Sequence, residues 1–333
     1  MNWNRTTPAL LIAVALAVVL TACGDSSDGA GGSSSKLSLV AYSTPKEAYE
    51  EIIPAFAQTA AGAGTTFTQS YGNSGDQARA VIAGLPTDIA ALSLEPDVDK
   101  LVEENLVAKN WKATPTKGIV TRSVVALAVR PGNPKNIRGW DDLVKPGIEV
   151  LTPNPFTSGG ARWNVMAVYG AQIEQGRTEA QSTDYLGRLF KNVVVQDKSA
   201  REALQNFTSG KGDVLISYEN EAITAQQKGE KLDYVLPDET ILIENPIAAT
   251  AKAGAKAKAF IDFATSVPAQ EIFAAKGYRP VIPALVDTKT YPDPPGLFDI
   301  TKFGGWDTVM TTFFDPRDSV MQKIEAGLGV STS

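Results

Sequence analysis

A chain of 333 residues, 43% hydrophobic and 20% charged, is long enough for two compact lobes, each with its own core. The 31 Lys and Arg against 37 Asp and Glu leave a net charge of −6, which argues against nucleic acid as a partner, because phosphate neutralisation needs a concentrated basic face. One Cys and no His remove a disulfide framework, thiolate-rich and His-based metal sites, His general bases and the Ser-His-Asp triad together.

The N-terminus reads as an address. Arg5 supplies a positive start, and Ala9 to Leu20 is an unbroken apolar run of 12 residues. A membrane-spanning helix needs about 20, so residues 1–22 read as a secretory signal. The run ends in Leu20-Thr21-Ala22-Cys23, which resembles a bacterial lipobox. The resemblance implies cleavage before Cys23 and lipidation of its thiol; an ordinary signal peptide with an incidental free Cys is the alternative. The following GDSSDGAGGSSS has no apolar residue larger than Ala and cannot bury enough surface to order itself. Residues 23–35 are therefore expected to be a lipidated Cys and a flexible tether, with the folded part starting near Lys36.

From there strands and helices alternate. LSLVAY (37–42) predicts a strand, and PKEAYEEIIPAFAQTA a helix with apolar spacing near 3.6. TTFTQSY and TDIAALS predict strands, followed by the helices DQARAVIAGL and DVDKLVEENLV. SVVALAVRPGNP predicts a longer strand; GWDDLVKPG leads into the strand IEVLTPNP and the helix ARWNVMAVYGAQIEQ. KNVVVQ, GDVLISYEN and LDYVLP predict strands, with the helices AREALQNFTSG and EAITAQQKGE between them. Such alternation predicts α/β architecture with largely parallel sheets. SVVALAVRPGNP (123–134) reads as one crossing between two lobes and ETILIENPIAATAKAG as the return. This assigns 36–122 plus 250–333 to the first lobe and 123–249 to the second. The tail AKAFIDFATSVPAQEIFAAKG is expected to be helical and to pack on the first lobe.

In parallel α/β sheets the ligand sits beyond the carboxyl ends of the strands, so four strand-to-helix junctions carry a reading. In AYSTPKEAYE, Thr44 can cap, Pro45 suits the first helical position and Glu47 completes a capping-box spacing. In SYGNSGDQARA, glycines let backbone approach a ligand, and Ser74 can offer both N–H and hydroxyl. Asp76 there either stabilises the positive helix end or accepts a proton from a ligand. In TPNPFTSGGARWN, Ser158, Gly159 and Gly160 offer two backbone N–H groups and a hydroxyl. In VVVQDKSAREAL, Asp197 or Ser199 can cap, leaving the N–H groups of Ser199 and Ala200 free. Each junction alone reads equally as a capped helix. Together they describe a pocket of donors, suited to a fully ionised oxyanion and hostile to a ligand that brings its own donor.

The residues RPGNPKNIRGWDDLVKPGIEVLTPNPFTSGGARWN (130–164) strongly resemble the bacterial sulfate-binding proteins of ABC importers. SYGNSGDQA, KNVVVQD, GDVLISYENEA, GYRP (277–280) and KFGGW (302–306) fit the same family in the same order, so the resemblance runs from Leu37 to about Phe314. It implies a two-lobed class II periplasmic-binding-protein-like fold, each lobe a mostly parallel sheet flanked by helices, closing on one dehydrated sulfate. It implies no metal and no cofactor, and a permease and the membrane as partners. Carried over, Ser74 donates its backbone N–H, Ser158 its hydroxyl, Gly159, Gly160 and Ala200 their N–H groups.

Two positions depart from the family. Ser43 stands where Asp is usual, in a contact made through the backbone N–H. Tyr218 stands where an indole donor is usual, with a different reach and angle. Both keep thiosulfate, molybdate or another tetrahedral oxyanion as alternatives. Lys198 either adds a cation at the rim or is solvated. Arg162 and Arg201 are expected behind the anion, facing carboxylates; a surface ion pair is the other reading. No P-loop, G-x-S-x-G or HExxH is present, so the reading is a receptor and not an enzyme, with a Ser-Lys or paired-carboxylate hydrolase lipoprotein as the reading from another class. A monomer is expected, since lobes that close on a hinge must be free.

Overall fold

A computed structural model of the protein describes residues 35–330. The signal peptide of 1–22, Cys23 and the tether up to Ser34 lie outside the described residues. The first elements are β1 (Ser35–Tyr42), α1 (Lys46–Ala57), β2 (Thr65–Gly72), α2 (Ser74–Ile82), β3 (Ile89–Ala91) and α3 (Glu95–Glu103). Then come β4 (Ile119–Val129), β5 (Val150–Leu151), α4 (Gly159–Glu174), α5 (Glu179–Lys191), β6 (Val193–Val195), α6 (Ala200–Thr208), β7 (Val214–Tyr218) and α7 (Glu219–Gln227). The chain ends with β8 (Asp233–Val235), β9 (Glu239–Ala249), α8 (Ala255–Ala264), α9 (Val267–Ala275), β10 (Gly296–Phe298), α10 (Gly305–Phe314) and α11 (Val320–Gly327).

The strands follow the order β2-β1-β3-β9-β4-β7-β5-β6, with β10 added to β9 and β8 to β4. The ladders β2-β1-β3 and β7-β5-β6 are parallel, the α/β pattern that the alternation predicts. The two parallel halves are joined by β4 and β9, which are antiparallel to each other, to β3 and to β7; only β10 lies parallel to β9. In β4, Ser123 and Val124 pair with β9, and Val125 to Val129 pair with β7. In β9, Leu242 to Pro246 pair with β4, and Ile247 to Ala249 pair with β3. Each of these two strands thus belongs to both halves.

Each half has its own core. Leu39, Tyr49, Phe56, Phe260 and Phe273 fill the first, where α8 and α9 pack against α1 and β1. Trp140, Trp163, Tyr185, Trp306 and Phe313 belong to the second. Helix α4 runs through that second core with 14 of its 16 residues buried, the signature of an interior helix.

Two expectations are corrected. The strand IEVLTPNP reduces to Val150–Leu151, because Pro153 and Pro155 have no N–H to give a ladder. The segment 250–333 does not stay with the first half. Gly296–Phe298 pairs with the start of β9, and Trp306, Phe313 and Phe314 of α10 pack on the α4 side, Trp306 at 4.6 Å from Trp163 in an edge-to-face pair. These aromatics need a large apolar face, and the buried helix α4 supplies it. The chain between α9 and β10 is therefore a third crossing.

Candidate functional site

The carboxyl ends of the parallel strands converge on one cavity of about 10 Å³, measured as space open to the centre of a water-sized atom. Its wall is built by Tyr42-Ser43-Thr44 after β1, Gly72-Asn73-Ser74 after β2, and Ser93 after β3. From the other half come Ser158 and Gly160 before and within α4, Ala200 at the start of α6, and Tyr218 at the end of β7. None of these side chains carries a formal charge. The space suits the few oxygen centres of one small ion and leaves no room for an organic substrate.

Local sequence explains each wall. Asn73 caps α2, its side-chain oxygen accepting from the Asp76 N–H at 2.8 Å. Ser158 caps α4 by accepting from the Ala161 N–H, and Ser199 caps α6 by accepting from the Glu202 N–H at 3.2 Å. Each cap takes the third N–H of its helix and leaves the first two free. Among the described residues the backbone N–H groups of Ser74, Gly159, Gly160 and Ala200 have no protein acceptor. Three helix N-termini thus present their positive ends and bare donors to the same small space.

The expected residues Ser43, Ser74, Ser158, Gly160, Ala200 and Tyr218 come together in the cavity wall. Gly159 does not contribute surface to it. A Cβ there would lie 2.5 Å from Leu94 Cδ2 and 2.9 Å from Ser93 Cβ, so this glycine lets α4 close against the loop after β3. The Ser74 hydroxyl is committed elsewhere: it donates to Asp97 Oδ2 at 2.7 Å and accepts from the Ser93 N–H at 2.9 Å. Only its backbone N–H is left for the cavity.

The first junction also differs from its sequence reading. Pro45 occupies the N-cap and no side chain caps α1. The Thr44 hydroxyl lies 3.2 Å from the Tyr278 hydroxyl, and Glu47 turns to Arg201 and Lys228. A charged partner in the other half outweighs a capping box. Asp76 is more than half exposed, its carboxylate paired with Arg79, and takes no part in the wall. Lys198 is exposed and likewise absent from it.

Charge stands behind the wall. Fully buried Asp97 receives the Ser74 hydroxyl and faces Lys100 at 2.9 Å and Arg162 at 3.8 Å. Burial pushes its carboxyl up, but these two cations more than offset it and hold the group below its ordinary range. Arg162 is itself buried, with Nε donating to the Pro155 carbonyl at 2.9 Å. Arg201 grips Glu47 through both carboxylate oxygens at 2.6 and 2.9 Å, and reaches Glu221 at 3.2 Å. Both arginines thus hold helices from behind and face carboxylates.

Sequence reasoning passed over Ser93 and Tyr42 as wall residues. Ser93 closes a strand like the others and was legible by the same carboxyl-end rule, but no glycine marks it. Tyr42 is the buried end of an apolar strand and carries no local signal; burial pushes its phenol up to about 12, so it stays a neutral hydroxyl.

A family model described as bacterial extracellular solute-binding protein matches residues 37–279. The chain is 42% identical to a protein named sulfate-binding protein from Synechococcus elongatus, over 94% of each chain. It is 33% identical to one named thiosulfate-binding protein from Pseudomonas aeruginosa, over 89% of this chain and 94% of that one. The solved structure of the sulfate-binding protein SubI from Mycobacterium tuberculosis matches with a TM-score of 0.82 and 44% identity, covering 84% of this chain and all of that one.

Proposed function

The chain belongs to the bacterial extracellular solute-binding proteins, and we propose that it is the sulfate receptor of an ABC importer. It captures the anion outside the cytoplasmic membrane and hands it to a permease. The observation that carries this reading is the chemistry of the cavity wall: helix N-termini and hydroxyls, with no carboxylate and no cation. Such a wall neutralises a dianion by aligned dipoles and charge-free hydrogen bonds. It offers no carboxylate to the proton of a hydrogen phosphate, so a ligand donor would face a protein donor in a dry site. In this reading Ser43, Ser74, Gly159, Gly160 and Ala200 give backbone N–H groups and Ser158 its hydroxyl. Tyr218 lies at the wall with its hydroxyl engaged by Ser93.

The two halves act as lobes that close on the anion by a hinge motion. The hinge is assigned to β4, β9 and the crossing before β10. The first lobe is 36–122 with 250–295, and the second is 123–249 with the tail from Gly296. Cys23 is the lipid anchor, the tether gives reach, and the receptor works as a monomer.

The test is calorimetric titration of Gly24 to Ser333 with sulfate, thiosulfate, molybdate and phosphate at one pH and ionic strength. One-to-one sulfate binding with phosphate excluded is expected; phosphate bound as tightly as sulfate sinks the donor-only reading. Thiosulfate is the second reading, favoured by the relative of that name and by the phenol at Tyr218. Thiosulfate outcompeting sulfate would establish it.

A further inference from the structure

Ser93 ties the two halves together at the cavity. Its N–H donates to Ser74 Oγ in the first half at 2.9 Å. Its carbonyl accepts from the Trp163 indole at 3.0 Å and from the Asn245 side-chain amide at 2.8 Å. The backbone is therefore fixed, and the hydroxyl alone is left to face the cavity. That hydroxyl lies 2.9 Å from the Tyr218 hydroxyl, and both residues line the wall.

Two hydroxyls bring two hydrogens, and one is used between them. The acidity of the two groups sets the direction: a phenol is the stronger donor and an aliphatic hydroxyl the better acceptor, so Tyr218 gives its hydrogen to Ser93 and Ser93 passes its own on. Among the described residues the Ser93 hydroxyl makes no other side-chain hydrogen bond.

We propose that Ser93 is a specificity-determining contact of the anion site, the last link of a one-way donor chain from Tyr218 to Ser93 and into the cavity. The inference rests on the sulfate reading and deepens it. Each link polarises the next, so the final hydroxyl is a stronger donor than an isolated serine. Its direction also matters. A lone serine can rotate and accept a proton from a hydrogen phosphate; a serine that already accepts from Tyr218 is held as a donor. Selectivity against protonated anions then comes from Tyr218 acting through Ser93, a contact that backbone donors alone do not make.

The test compares the soluble chain with Ser93→Ala and Tyr218→Phe by calorimetry against sulfate and inorganic phosphate, with thermal melts as the folding check. Ser93→Ala should lose about 10- to 100-fold in sulfate affinity while melting within a few degrees of the parent, roughly the worth of one hydrogen bond to a charged group. Tyr218→Phe should keep more of the sulfate affinity and narrow the preference for sulfate over phosphate by about 5-fold or more, because Ser93 is free to turn. Sulfate affinity within about twofold of the parent in Ser93→Ala overturns the contact. An unchanged sulfate-to-phosphate ratio in Tyr218→Phe, including phosphate remaining undetectable, overturns the chain. A parent protein that ignores sulfate removes the receptor reading itself, and that outcome is distinct from both.

Discussion

Gly159 and Gly160 are neighbours in the sequence, and their missing side chains make room for different things. A methyl on Gly159 collides with Leu94 and Ser93, whereas one on Gly160 would sit 3.4 Å from Ser158 Oγ, 3.5 Å from Ala200 Cβ and 3.7 Å from the Tyr218 ring. The second set of distances is ordinary packing, so the methyl fits, and it fits in the space proposed for the anion. Gly160→Ala should melt at or above the parent temperature, because Ala gains up to about 1 kcal/mol over Gly in a helix. It should nevertheless lose sulfate affinity by about 100-fold or more. Gly159→Ala should instead lose about 1–3 kcal/mol of stability from overpacking. Calorimetry and thermal melts on the two variants check this; a Gly160→Ala protein that binds sulfate normally places the anion elsewhere. The sequence motif SGG pointed to both glycines as donors. It could not separate them, because which neighbour a missing Cβ makes room for is decided by β3 and Leu94, about 65 residues away in the chain.

At the scale of elements, α1, α6 and α7 are tied behind the cavity by one charge cluster. Glu47 of α1 meets Arg201 of α6 and Lys228 just beyond α7, and Arg201 also meets the fully buried Glu221. Burial pushes Glu47 up, but the bonds from Arg201 and Lys228 overcome it and hold the carboxyl at about 2. Its folded value lies below its unfolded one, so this stability is present above the ordinary carboxyl range and lost as pH falls towards 2. Glu221 is the opposite case. Burial pushes it up to about 7, with Arg201 pulling back and Glu47 adding to the rise. Arg201 keeps its charge, so Glu221 carries the cost of burial.

The folded state then holds a proton that the unfolded chain releases near the ordinary 4.5, and stability falls as pH rises from there to about 7. Melting temperatures from pH 2.5 to 8 should show both limbs. Glu47→Gln should flatten the acid limb, and Glu221→Gln the limb between about 4.5 and 7. A Glu221→Gln profile parallel to the parent there contradicts the buried-acid account. Helices themselves were legible from apolar spacing and junction residues, as α6 and α7 show. The partners of Glu47 were not, because a capping-box spacing within four residues hides a bond to a residue more than 150 positions away.

For the whole molecule, the two halves meet where like ends of dipoles meet. The N-termini of α2, α4 and α6 converge on one space with unpartnered N–H groups, and their positive ends repel until an anion arrives. The contacts that draw the halves together include Glu47 with Arg201 and Lys228, Asp97 with Arg162, Ser93 with Tyr218, and the Trp163 indole with the Ser93 carbonyl. The covalent connection runs through β4, β9 and the crossing before β10; β4 and β9 pair with each other and so hold the halves in register. In the proposed closure the ligand supplies the difference between an open and a closed molecule. Sulfate at about 100 times its Kd should stabilise the fold by about 2.7 kcal/mol, and X-ray scattering should show a smaller radius of gyration with sulfate than without. Gly160→Ala should show neither change, since its methyl holds the space without bringing charge to cancel the converging dipoles. An unchanged radius with full sulfate binding would mean that the contacts between the halves alone close the molecule, and the repulsion between helix ends would then be too weak to open it.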